Sequence, residues 1–231
     1  MIRKIVEQRF DSEKWYLELA GLSSDQKPAE GIITGSLFFE ADTGKFFAFD
    51  ELSGEWLYMN ADATPITGAT ITLGSSLTYS GSEQTQSVSS VVLGTSTLTA
   101  DTDYKVVKNK ATDAGDYMLY VYGVGDYSGV IGKAFTVAKA NGSVSADPDS
   151  LSLTPEGDAG TSTISVTGDG EISVASSAEA VATAEVSGTT VTVYPLSAGS
   201  ATVTVTLGDS ANYNGSSDTI SVTVAEDEGD G

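Results

Sequence analysis

The side chains that most often do chemistry are missing from this chain. Among its 231 residues there is no His and no Cys. That removes the commonest general base, the thiolate nucleophile, the disulfide and the favoured soft metal ligands together. A Ser-His-Asp or Cys-His arrangement has no base to work with. Carboxylates remain, and two close pairs stand out, Asp101/Asp103 and Asp113/Asp116. Glycoside-cleaving chemistry needs two carboxyl groups held across a cleft. Short spacing in Thr/Gly-rich sequence is instead that of turn acids bonding their own backbone. "TGDGE" (167–171) and "EDEGDG" (226–231) offer weak Ca²⁺ ligands, but neither has the spaced loop of an EF-hand. "GVGDYSG" (123–129) lacks the Lys-Ser/Thr and the following helix of a phosphate loop, and reads as a turn between strands. No catalytic residue, metal site or cofactor is expected.

What these residues can do is bind. "GSLFFEADTGKFFAFDELSGEW" (35–56) gathers Phe38, Phe39, Phe46, Phe47, Phe49 and Trp56 into one short hairpin. Residues 1–60 hold 10 of the chain's 19 aromatics, so the aromatic chemistry is concentrated at one end. Asp42-Thr43-Gly44 and Leu52-Ser53-Gly54 supply its turns, since Asp and Gly take up conformations other residues resist. Consecutive strand residues point to opposite faces. Phe38 and Phe39 therefore cannot share one core, and neither can Phe46 and Phe47. A small meander has little interior, so the surplus face must meet the N-terminal strands, a second copy or a larger assembly. The six aromatics are the candidate docking and oligomerisation residues. Tyr120, Tyr122 and Tyr127 form a second candidate set. Some of them must face outward, where aromatic rings suit glycans and protein partners, but strand packing is the stronger account of Tyr in such runs, since Tyr is a good strand former.

The elements that carry these residues are strands. The 25 glycines and the abundance of Ser, Thr and Val suit strands and turns. "IRKIVEQRF" and "KWYLELAGL" read as two strands, followed by a polar loop "GLSSDQKPAEG", the hairpin, and "EWLYM". Beyond "NADATP", short β-rich runs recur about every ten residues, the pattern of a sandwich. A third segment after "AKANG" repeats it, and "ATVTVTL" alternates strictly, with Val203, Val205 and Leu207 inward and Thr202, Thr204 and Thr206 outward. The expected organisation is all-β: an aromatic meander over 1–61, Ig-like sandwiches over 62–139 and 140–226, and an acidic tail over 227–231. Both sandwich segments end on Gly-Asp, Tyr, Gly and a last strand, at 125–137 and 208–224, which points to similar architecture.

The net charge is −21, which repels nucleic acid and anionic membrane surfaces. It is uneven. Residues 1–61 hold 6 Lys/Arg against 11 Asp/Glu, residues 62–140 hold 5 against 7, and residues 141–231 hold none against 14. Charge of this kind keeps a protein soluble. No apolar run approaches the roughly 20 residues of a spanning helix, and the charged N-terminus is not a secretion signal.

Three stretches carry resemblances. "LTYSGSEQTQSV", "LTADTDYKVV" and "ATDAGDYMLYVYGVGDYSG" resemble the Ig-like repeats of large bacterial surface proteins. "LSLTPEGDAGTSTISVTG" and "AVATAEVSGTTVTVYPLSAGSATVTVTL" are similar to bacterial Ig-like group 2 domains, in which a Ser-Ala-Gly turn, here Ser197-Ala198-Gly199, joins the last two core strands. "GLSSDQKPAEGIITGSLFFEADTGKFFAFDELSGEW" resembles small structural proteins of tailed phages of Gram-positive bacteria, with Phe47 where Tyr is usual. The resemblance implies a non-enzymatic virion-surface protein, a head fibre or capsid decoration. Its N-terminal segment would attach or oligomerise, as a homotrimer or on capsid proteins. Its Ig-like domains would project to make weak contacts with host-surface or mucosal glycans. Assembly in the host cytoplasm needs no signal peptide. A bacterial adhesin fragment, a phage tail-associated fibre and the accessory module of a carbohydrate-active enzyme are the alternatives.

Overall fold

The computed structural model describes residues 1–155 and 157–226. The expected acidic tail, and with it most of "EDEGDG", lies outside them. Every regular element is a β-strand, as the composition requires. The chain divides into two compact units. The first holds Met1–Ser76, Gln84–Ala111 and Asp116–Thr136. The second holds Leu77–Glu83, Thr112–Gly115 and the chain from Val137 onward.

The first unit opens with a five-stranded sheet of β1 (Arg3–Arg9), β2 (Trp15–Gly21), β3 (Leu37–Glu40), β4 (Lys45–Asp50) and β5 (Glu55–Tyr58), paired in that order. Three of its four connections are hairpin-like. The turns after β3 and β4 close on Gly44 and Gly54, both at positive φ, whose N–H groups donate to the Glu40 and Asp50 carbonyls at 2.8 Å. The fourth departs from a simple meander: β2 and β3 run parallel, Leu19 beside Phe38. A parallel pair needs a crossover connection over one face of the sheet, and here residues 22–36 provide it without a helix.

The same unit contains two further sheets. One is built of Thr70–Leu73, Val88–Leu93 and Ser96–Thr97; the other is a four-stranded sheet of which the unit holds Tyr104–Val107 and the greater part of Gly115–Gly123 and Val130–Ala138. Ile71, Val91 and Leu98 are buried on the first, and Tyr104, Leu119, Val121 and Phe135 on the second. This is the interior of a sandwich, drawn from one side of each strand.

The second unit is a sandwich of two four-stranded sheets. Ser143–Asp147, Gly160–Thr167, Thr190–Pro195 and Ala182–Ser187 form one. Ser150–Leu153, Ser216–Val224, Gly199–Leu207 and Ile172–Ser176 form the other. Val191, Val193, Val203, Val205, Leu207, Ile220 and Val222 pack its core. The alternation read from "ATVTVTL" is the one observed: Val203, Val205 and Leu207 are buried, and their Thr neighbours are not. Gly199, in the Ser-Ala-Gly turn, has φ +148, and a Cβ there would come within 2.9 Å of Val181.

The shared Gly-Asp…Tyr…Gly endings have one structural role. In the first unit Tyr127–Ser128 pairs parallel with Thr64–Pro65. In the second, Tyr213–Asn214 pairs parallel with Ala140–Asn141. In both, the loop before the last strand grips the segment that leads into the sandwich. Asn212 adds to this in the second unit: its side-chain carbonyl accepts from the Ala114 N–H at 2.7 Å, and its amide donates to Asp113 at 3.1 Å.

Candidate functional site

Pairing register assigns the aromatic side chains of the five-stranded sheet to faces. Phe38 lies opposite Phe47, Phe49 opposite Trp56, and Phe47 opposite Tyr58. These rings share one face with Trp15, Leu17 and Leu19 of β2. Phe39 lies opposite Phe46 and shares the other face with Tyr16, Leu37, Ala48 and Leu57.

The first face is closed by the 22–36 crossover. Leu17, Leu19, Ile32, Phe38 and Phe49 form a buried cluster, with Trp15, Phe47 and Trp56 packed against it. Trp56 donates its indole N–H to the Pro28 carbonyl at 2.6 Å. Lys27 reaches down from the crossover, with its ammonium 4.7 Å from the Phe38 ring centre and 4.6 Å from that of Phe47. There it donates to Glu40 at 2.7 Å, and Thr43 donates to the same carboxylate at 2.6 Å. The two side chains are only 16% and 6% exposed. Burial pushes the Glu40 carboxyl up, and the bonds from Lys27 and Thr43 more than reverse this, leaving it below the ordinary glutamate value.

Among the described residues no crossover closes the second face as one closes the first. None of its side chains is buried, Phe46 is 51% exposed, and Phe39 and Phe46 stack only on each other, centres 4.7 Å apart. The N-terminal strands do not cover the hairpin; β1 and β2 lengthen its sheet, and β1 is exposed along its whole length. Of the six candidate aromatics, then, Phe38 and Phe49 lie inside the core, Phe47 and Trp56 line its edge, and Phe39 and Phe46 face outward.

A cleft of about 340 Å³ opens beside β5 within the same unit. Phe47, Trp56 and Tyr58 line one side, and Tyr122 with the 101–105 turn lines the other. Glu55, Asp101, Lys45 and Lys105 stand around it. Asp101 holds a left-handed backbone, φ +64, a conformation Asp tolerates better than most residues. Along Gly115–Gly123 inward and outward residues alternate until this point. Leu119 and Val121 are buried, Met118 is exposed and Tyr120 half-buried, but Tyr122, on the outward side, is only 3% exposed. Burial first, and the carboxylates of Glu55 and Asp101 after it, push its hydroxyl up to about 12.

The three candidate tyrosines are thus separated in role. Tyr120 carries the Lys108 ammonium 6.0 Å from its ring centre, Tyr122 lines the cleft, and Tyr127 sits in the short parallel pairing. Lys27, Glu40 and Glu55 escaped the reading of the sequence, in which Asp101 figures only as a turn acid. Glu40 had a signal: it shares a strand face with Phe38, and a carboxylate on an aromatic face demands a cation. The remaining close acids serve the fold. Asp103 accepts from the Thr99 N–H at 2.8 Å, and Asp116 from the Thr136 hydroxyl at 2.6 Å. Among the described residues no three acidic side chains gather into a metal-holding group.

No family model matches the chain, and no curated protein does. Among solved structures it is similar to the fibronectin(III)-like modules of Clostridium thermocellum CbhA, at 12% identity over 70% of this chain and 97% of that one, TM-score 0.31. It is also similar to the N-terminal four Ig domains of Dscam1 isoform 6.44, at 14% identity over 97% of this chain and 65% of that one, TM-score 0.30.

Proposed function

We propose that the chain is a non-enzymatic structural protein of a tailed-phage virion, a head fibre or capsid decoration. Its N-terminal sheet attaches and oligomerises, and its Ig-like sandwiches make weak contacts with host-surface glycans. The observation that carries this reading is the open aromatic face of the five-stranded sheet. Tyr16, Leu37, Phe39, Phe46, Ala48 and Leu57 share this face, and none of them is fully buried. A contiguous exposed apolar surface of this kind often serves as an interaction site. The charge distribution supports the same end of the molecule. Residues 1–61 hold 6 Lys/Arg against 11 Asp/Glu and residues 141–231 none against 14, so two chains approach at the N-terminal end with less repulsion than at the C-terminal sandwich. Many copies on one particle turn weak contacts into useful avidity.

Light-scattering mass of the full chain beside Phe46→Glu tests the attachment role. The unaltered chain is expected to be a trimer and Phe46→Glu, with a charge set into the open face, a monomer. If both are monomers at about 100 μM, the sheet does not oligomerise, and an adhesin fragment becomes the better reading.

A further inference from the structure

The Tyr122 hydroxyl is a polar group without a partner. The ring is 3% exposed, and no hydrogen bond within the described residues reaches its oxygen. Buried hydroxyls of this kind ordinarily find one. Nor is the oxygen sealed in, for the one fully enclosed side-chain atom lacking a partner among the described residues is Ser216 Oγ. The charges that act on it belong to Glu55 and Asp101, which line the cleft. Tyr122 itself lines that cleft, and its hydroxyl is not fully enclosed.

The geometry points to this cleft as a binding site for a single neutral sugar residue. The inference deepens the glycan-contact role proposed above and rests on it. Glu55 and Asp101 present acceptors, while Tyr122, Lys45 and Lys105 present donors. A sugar hydroxyl can accept from one group and donate to another at once. The two cations balance the two carboxylates, which disfavours a strongly charged ligand. Phe47, Trp56 and Tyr58 supply an apolar wall for the C–H face of the ring. At about 340 Å³ the cleft lies at the small end of the range for ligand pockets. Tyr122 orients the ligand, since its ring is buried and so fixed in place.

The test is a titration of the full chain with the methyl glycosides of glucose, galactose and N-acetylglucosamine, followed by tryptophan emission, which Trp56 reports from the cleft wall. At least one glycoside is expected to saturate at millimolar concentration, and glycerol is not. Tyr122→Phe keeps the ring and removes only the O–H, and it should weaken binding roughly tenfold with an unchanged circular dichroism spectrum. Tyr120→Phe should bind as the unaltered chain does. If a glycoside binds Tyr122→Phe as tightly as the unaltered chain, the cleft is overturned and the glycan role survives at some other site. If no glycoside saturates, the cleft and the glycan role both fall. The attachment role is judged separately, by solution mass.

Discussion

Replacing Lys27 with Met removes the ammonium and keeps a stem of similar length against Phe38 and Phe47. Glu40 is then left under the crossover, 6% exposed, with the Thr43 hydroxyl as its remaining side-chain donor. Breaking a buried ion pair by deleting one partner costs about 3–5 kcal/mol, because the survivor's charge is uncompensated. Lys27 keeps 16% exposure, which admits some water, so the lower end applies, about 3 kcal/mol at pH 7. The pH dependence has a definite sign. In the unaltered chain the Glu40 carboxyl is held below its ordinary value. Its contribution is present above the unfolded pKa of about 4.3 and is lost as pH falls through the lower folded value. Without Lys27, burial dominates and raises the carboxyl, so the variant loses stability as pH rises above about 4.3. The deficit should therefore be large at pH 7 and shrink towards pH 4, where Glu40 takes a proton. Urea unfolding followed by tryptophan emission measures it, since both tryptophans, Trp15 and Trp56, lie in this sheet. The double variant Lys27→Met/Glu40→Leu should return to within about 1 kcal/mol of the unaltered chain, because an apolar pair replaces an ionic one at little net cost. A Lys27→Met deficit below about 0.5 kcal/mol, or one that does not change between pH 7 and pH 4, would refute the argument that the pair holds the crossover on the sheet.

Three further outcomes are expected. Phe38→Ala should destabilise the sheet by roughly 3–5 kcal/mol, while Phe46→Ala, on the open face, should stay within about 1 kcal/mol; urea midpoints of the two at equal concentration compare them. Gly170→Ala would set a Cβ 1.9 Å from the Gly208 carbonyl oxygen, and the backbone shift it forces should lower stability by roughly 1–3 kcal/mol, read by thermal unfolding. The Tyr122 hydroxyl, pushed up to about 12, favours the folded state below the ordinary tyrosine value of about 10 and loses that stability as pH rises towards 12. Alkaline unfolding by circular dichroism should accordingly occur at higher pH in Tyr122→Phe than in the unaltered chain.

The sequence by itself determined what depends on neighbours along the chain. Two-residue alternation fixed the strands and the inward set Val203, Val205 and Leu207, because side-chain direction in a strand is a local property. Asp-Thr-Gly and Leu-Ser-Gly fixed two turns for the same reason, as only glycine enters a positive φ cheaply. The absence of His and Cys ruled out whole chemistries before any fold was known. Opposed Phe pairs required two aromatic faces, but not which of them would be covered. That was decided by β2 and β3 pairing in parallel, a contact between Leu19 and Phe38 that no local pattern announces. The parallel pairing sends residues 22–36 across one face, carries Lys27 to Glu40, and leaves Phe39 and Phe46 on the other. Tyr122 shows the same limit. Alternation separates Met118, Tyr120 and Tyr122 from Leu119 and Val121, and yet Tyr122 is buried like the second set, where β5 and the 101–105 turn line the same cleft. Burial of an outward residue depends on elements distant in sequence, and those meet only through tertiary packing.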